Sequence, residues 1–145
     1  MHQLLHNMQQ KCRFTLKLNS VPDSITQVEP FLQQLKKQYN LSDEVYFNML
    51  LVLTEAVNNS ILHGNGADPC KRVVVKAKPA KSSLSFTVSD EGCGFNPDKI
   101  ADPTTPDCIC NPNGRGVFLM KQLSDQLQYS DDGKKVEIRF NLTNA

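Results

Sequence analysis

Along the chain, apolar positions alternate with polar ones, shift to a helical period, and then return to alternation. Cys12, Phe14, Leu16 and Leu18 alternate with Arg13, Thr15 and Lys17, the period of a half-buried strand. Residues 19–22 read as a turn. Ile25, Val28, Leu32, Leu35 and Tyr39 recur at helical spacing up to Asn40, with Ser24 and Gln27 placed to cap that helix. Pro30 is late for a first turn, so the helix is expected to begin at Glu29 or to kink. Ser42 caps a second helix, with Asp43 and Glu44 favoured in its first turn by the dipole. It is expected to run to about His63, where Gly64 stops it.

Residues 72–78 and 84–89 alternate as two strands around a turn at 79–82. Residues 95–113 show no period and contain four prolines, the mark of a functional lid in so small a domain. Residues 117–123 form a short helix. Leu127 and Tyr129 open a hairpin that turns at Asp132-Gly133 and returns through Val136, Ile138, Phe140 and Leu142. The pattern predicts an α+β domain of two layers: a mostly antiparallel, mixed sheet of about five strands with three helices on one face.

Composition narrows the function. At 145 residues the chain is long enough for one domain with a real core, and its 39% hydrophobic and 21% charged residues are ordinary for a globular protein. Sixteen basic against fifteen acidic residues leave a charge of +1, which argues against nucleic acid or an anionic membrane as the main partner. Residues 1–10 are too polar for a signal peptide and are expected to be loosely attached, and no stretch is expected to span a bilayer. Five irregularly spaced cysteines suit reduced thiols in a cytoplasm. Cys108 and Cys110, with Cys93, lack the spacer and second ligand pair of a zinc site.

Three stretches carry the candidate chemistry. On the second helix, Tyr46, Met49, Leu50, Leu53, Val57 and Ile61 share one face, opposite Glu55 and Asn59. Those two are either a solvated face or a site. Flanking Leu51, Val52 and Leu62 and the weak helix formers Asn58-Asn59-Ser60 count against a solvated face. A carboxylate can orient or deprotonate a hydroxyl, while an amide one turn later can hold Mg²⁺ between phosphates. His63, another turn along, can face phosphates or cap the helix end. Asp90 shares the face of Leu84, Phe86 and Val88, so it points inward and needs a partner: an adenine amino group or a backbone turn. Gly92 and Gly94 clear space for a flat base. Gly114-Arg115-Gly116 is either an anion-binding helix start or a flexible loop end. Arg115 can add charge to phosphates or reach a partner. There is no P-loop, dinucleotide fingerprint, His-Glu-x-x-His or Gly-x-Ser-x-Gly.

As an ordered set, these stretches resemble the GHKL superfamily of ATPases and kinases, most closely the anti-sigma-factor serine/threonine kinases of the RsbW and SpoIIAB type. Residues 55–59 with His63-Gly64 are similar to the N box, 90–94 to the first glycine box, 94–107 to the ATP lid, and 114–120 to the second glycine box. The resemblance implies a Bergerat-type sandwich binding ATP and Mg²⁺. Glu55 would be the catalytic base, Asn59 the magnesium ligand and Asp90 the adenine contact, with Gly92, Gly94, Gly114 and Gly116 lining the nucleotide. It also implies a small STAS-domain anti-anti-sigma protein as substrate, a sigma factor as a further partner, and a homodimer. Two other functions compete: an ATP-gated binding module without phosphotransfer, and the catalytic half of a sensor histidine kinase. The latter is disfavoured because no helix pair with a His-Glu motif precedes the domain.

Overall fold

A computed structural model of the chain describes residues 14–92 and 114–142. The expectations for residues 1–10, Cys12, Cys93, Gly94, Cys108, Cys110 and the lid fall wholly or almost wholly outside them. Five strands, β1 (Thr15–Asn19), β2 (Arg72–Pro79), β3 (Ser83–Ser89), β4 (Gln126–Ser130) and β5 (Lys135–Asn141), form one sheet in the order β1-β2-β3-β5-β4. Every described pairing is antiparallel, so the sheet is not mixed. Two of these pairings are hairpins closed by short turns, which can only be antiparallel.

Register puts the apolar phases of all strands on one face. Leu16 lies opposite Val75, Val75 opposite Val88, Val88 opposite Val136, and Val136 opposite Tyr129. The next row runs Ala77, Phe86, Ile138 and Leu127. Helices α1 (Val28–Tyr39), α2 (Asp43–Asn59) and α3 (Gly114–Leu123) share one buried core with this face. Phe86, at its centre and fully buried, meets Phe140 edge-on with ring centroids 6.0 Å apart. Phe86→Ala should therefore destabilise the fold by about 3–5 kcal/mol, read from urea unfolding.

The helix starts differ in part from expectation. Pro22–Gln27 is a 3-10 turn in which Ser24 is buried, and neither Ser24 nor Gln27 caps α1 by its side chain. Helix α1 begins at Val28, which leaves Pro30 in the first turn, where no intrahelical N–H partner is required. Ser42 does cap α2, accepting the Val45 N–H at 3.2 Å. The Asp132-Gly133 hairpin turn forms, with Asp131, Asp132 and Gly133 all left-handed.

One helix is long and apolar enough to raise the question of a membrane span. Within the 22-residue helical run Asp43–Gly64, an 18-residue window has a mean hydropathy of 1.2, which by length and composition alone could cross a bilayer. Its apolar residues have another use here: Tyr46, Met49, Val52, Leu53, Ala56 and Val57 are buried in the domain core. Leu51 and Leu62 stay exposed at 52% and 37%, while Val52 is fully buried.

Candidate active site

The last turns of α2 set up the site. After Asn59 the helix widens into a π turn, Ser60–Gly64, in which the Asn65 N–H bonds the Ser60 carbonyl at 2.8 Å. Such turns concentrate at functional sites. The left-handed residues that redirect the chain are Gly66 (φ 60°) and Ala67 (φ 56°), so Gly64 is not the conformational stop that was expected. Gly64 is small for a different reason. A Cβ there would overlap the Asp90 carboxylate, and a Cβ on Gly92 would overlap the Gly64 carbonyl. Helix end and glycine-rich loop meet with no room for side chains.

Asp90 continues the phase of β3, since its N–H donates to the Lys134 carbonyl at 2.9 Å. It is half-buried on the core side, as alternation predicts. Its Oδ1 accepts the Gly92 N–H at 2.9 Å, and the Ser60 hydroxyl also hydrogen-bonds the carboxylate. The backbone-turn reading of Asp90 is thus true for one oxygen. Burial pushes the carboxyl above its ordinary range, opposed by those hydrogen bonds and by the charges of Lys134 and Lys71. A half-buried carboxylate with one oxygen held by the Gly92 N–H can accept from a flat donor such as an adenine amino group.

Glu55 lies nine residues before Gly64, on the same helical run. Helix α3 begins at Gly114, and Gly116 in its first turn packs so closely on Glu55 that a Cβ would overlap Oε1. The second glycine-rich stretch is therefore a helix start and not a flexible loop end. Arg115, beside it, is exposed. Tyr129 on β4 faces the same corner; burial and the Glu55 charge both push its hydroxyl above the ordinary tyrosine range.

Asn59 sits one turn after Glu55. Its Nδ2 is buried with no hydrogen-bond partner among the described residues. That nitrogen is a hydrogen-bond donor; a cation would take the Asn59 Oδ1. Glu55 and Asn59 are both half-buried, beside the exposed Leu51 and Leu62. No cluster of three His, Cys, Asp or Glu able to hold a metal occurs among the described residues. The Asn59 Oδ1 is an oxygen donor of the kind Mg²⁺ takes beside phosphates and water. His63 lies half-buried in the π turn.

The structure thus joins Glu55 to Gly116 at one end, and Asp90 to Gly92 at the other, with Asn59 between. No motif of the sequence marks Tyr129, and there Ser60 is only a weak helix former and Gly64 only the end of the N-box stretch. For Tyr129 a signal existed: it shares the inward phase of Leu127.

Residues 18–140 match the family model of the histidine kinase-like ATPase domain. The chain belongs to that family. The ATPase domain is 29% identical over 122 residues to the anti-sigma F factor of Clostridium perfringens, covering 82% of this chain and 79% of the relative. It is 21% identical over 117 residues to the serine/threonine-protein kinase BtrW of Bordetella bronchiseptica, covering 79% and 82%. Among solved structures it is similar to the RsbU and RsbW domains of a Mycobacterium tuberculosis protein, with TM-score 0.60 and 14% identity. That match covers 88% of this chain and 31% of the longer one. The mycobacterial sensor histidine kinase MprB matches with TM-score 0.52 and 13% identity, over 87% of this chain and 96% of its own. These structural likenesses show the GHKL fold. Membership of the ATPase family implies that the nucleotide is ATP.

Proposed function

We propose that this protein is an ATP-dependent serine/threonine kinase and anti-sigma regulator that phosphorylates a STAS-domain anti-anti-sigma protein in a partner-switching circuit. The observation that carries this reading is the Glu55 carboxylate seated against Gly116 at the start of α3, one turn before Asn59. A carboxylate at a helix N-terminus, beside a place for phosphates, can take the proton of an incoming hydroxyl. The relatives named as anti-sigma F factors and as a serine/threonine-protein kinase support the same direction.

Each residue then has a role. Asp90 accepts from the adenine amino group, while Gly64 and Gly92 let the loop close on the helix end and hold that carboxylate in place. Gly114, Arg115 and Gly116 receive the phosphates, with Gly94 and His63 completing the nucleotide contacts. Asn59 holds Mg²⁺, which when bound neutralises phosphate charge. Glu55 orients and deprotonates the attacking serine or threonine hydroxyl. Phe47, Leu51, Phe118 and Leu119, exposed on α2 and α3 within eight residues of Glu55 or Gly116, give a protein acceptor apolar surface to meet. The proposal extends to a sigma factor as second partner, a homodimer and a cytoplasmic location, on the family resemblance.

Labelled ATP mixed with STAS-domain proteins of the same genome tests the activity. Transfer of label to serine or threonine is expected. A partner retained only with ATP, and never labelled, would make the protein an ATP-gated binding module instead.

Asp90→Asn tests the base contact. ATP should bind about 1–3 kcal/mol more weakly by calorimetry, since a charge-assisted hydrogen bond is spoiled. The nucleotide-free variant should behave oppositely in stability. Folding raises the Asp90 pKa, so its contribution to stability is present at low pH and is lost as pH rises through that raised value. Asparagine escapes the loss. The variant should therefore melt above wild type at neutral pH, with the gap closing in acid. Unchanged ATP affinity would remove Asp90 from the nucleotide site.

A further inference from the structure

Asn65, just past the π turn, is 3% exposed, yet its side-chain amide is fully engaged. Its Nδ2 donates to the Ser20 Oγ at 2.7 Å and to the Arg72 carbonyl at 3.0 Å. Its Oδ1 accepts the Glu91 N–H at 2.8 Å. One amide thus links the end of β1, the start of β2 and the residue after Asp90. Only a group that donates twice and accepts at the same moment can do this, and Asn is the short side chain that does. A second strap runs parallel: the Glu91 Oε2 accepts the Arg72 N–H at 2.7 Å. The main-chain N–H of Asn65 meanwhile closes the π turn on Ser60, whose hydroxyl reaches Asp90.

From this geometry we infer that Asn65 is a positioning residue for base selection: it holds the 90–92 loop against Gly64 before nucleotide arrives, and so sets the preference for adenine. The inference rests on the reading of Asp90 as the adenine contact. The donor half of the amide is anchored on the ends of two sheet strands. Its acceptor half ends on the one residue between Asp90 and Gly92, whose N–H closes on the Asp90 carboxylate. Loss of the amide leaves Glu91 tied only through its Oε2 on the Arg72 N–H, and its main chain, with the Asp90 carboxylate beside it, is less firmly directed. A carboxylate aimed loosely no longer distinguishes an amino group from a carbonyl on the base.

Calorimetry with ATP and with GTP, on wild type and Asn65→Ala, separates this role from a purely structural one. The expected result is an ATP affinity about tenfold weaker in the variant, with GTP affinity within twofold of wild type. Equal loss for both nucleotides, or no loss for either, overturns the inference. Hydrogen exchange on nucleotide-free wild type is a second arm that needs no folded variant. The Glu91 amide should already be protected there, and exchange as fast as an open loop would mean that the loop is not preset. Wild type showing no preference for ATP over GTP instead overturns the adenine role of Asp90, and this inference with it.

Discussion

Glu55→Gln is expected to lower phosphotransfer to the partner protein by ~10²–10⁴ while changing ATP affinity little. Glutamine keeps the length and polarity of the side chain and still fits against Gly116, but an amide accepts no proton at neutral pH. Pure nucleotide binding needs no base, so the two measurements should separate. The contrast is Asn59→Ala, which removes a metal ligand and should weaken the Mg²⁺-dependent part of ATP binding. Quenched-flow labelling of the partner, beside calorimetry with and without Mg²⁺, reads both. A Glu55→Gln enzyme as fast as wild type would show that the proton goes elsewhere.

Gly116→Ala should cost nearly as much activity by another route. In an ordinary helix this change is stabilising by up to about 1 kcal/mol, because glycine is the poorer helix former. Here the added Cβ would occupy the place of Glu55 Oε1. A carboxylate at the end of a flexible side chain can move aside, so the fold should survive with a melting temperature close to wild type. The displaced carboxylate then no longer meets the hydroxyl, and a misplacement of about 1 Å is enough to lower the rate ~10²-fold. Full phosphotransfer in a normally folded Gly116→Ala protein would mean that the seat of Glu55 on α3 is irrelevant to the chemistry.

Both experiments depend on contacts of very different visibility in the chain. The alternation of Leu84, Phe86 and Val88 carries directly into Asp90, and the carboxylate is half-buried on the side that phase predicts. The spacing of Glu55 and Asn59 by one turn is likewise a local fact that holds once α2 forms. Ser42 as cap and Asp132-Gly133 as turn follow from side-chain and backbone preferences that act within four residues. The start of α1 was less legible, because Pro30 is tolerated anywhere in a first turn and the preceding 3-10 turn has no period of its own.

What local preference could not carry is why particular glycines are glycine. Gly64 looked like a helix stop, but its backbone is right-handed enough for any residue; it is excluded from bearing a side chain by Asp90, 26 residues later. Gly116 looked like an anion-binding turn, and its crowding by Glu55 appears only when α3 docks on α2. The π turn that swings Asn65 under the 90–92 loop has no sequence signal, since it exists because its amide finds partners on two strands and a loop. Periodicity, capping and turn chemistry act over a few residues, and the sequence by itself determined the elements, their buried faces and the candidate residues. Steric exclusion and buried hydrogen bonding act between segments distant in the chain, so only the tertiary structure decided which of those residues touch.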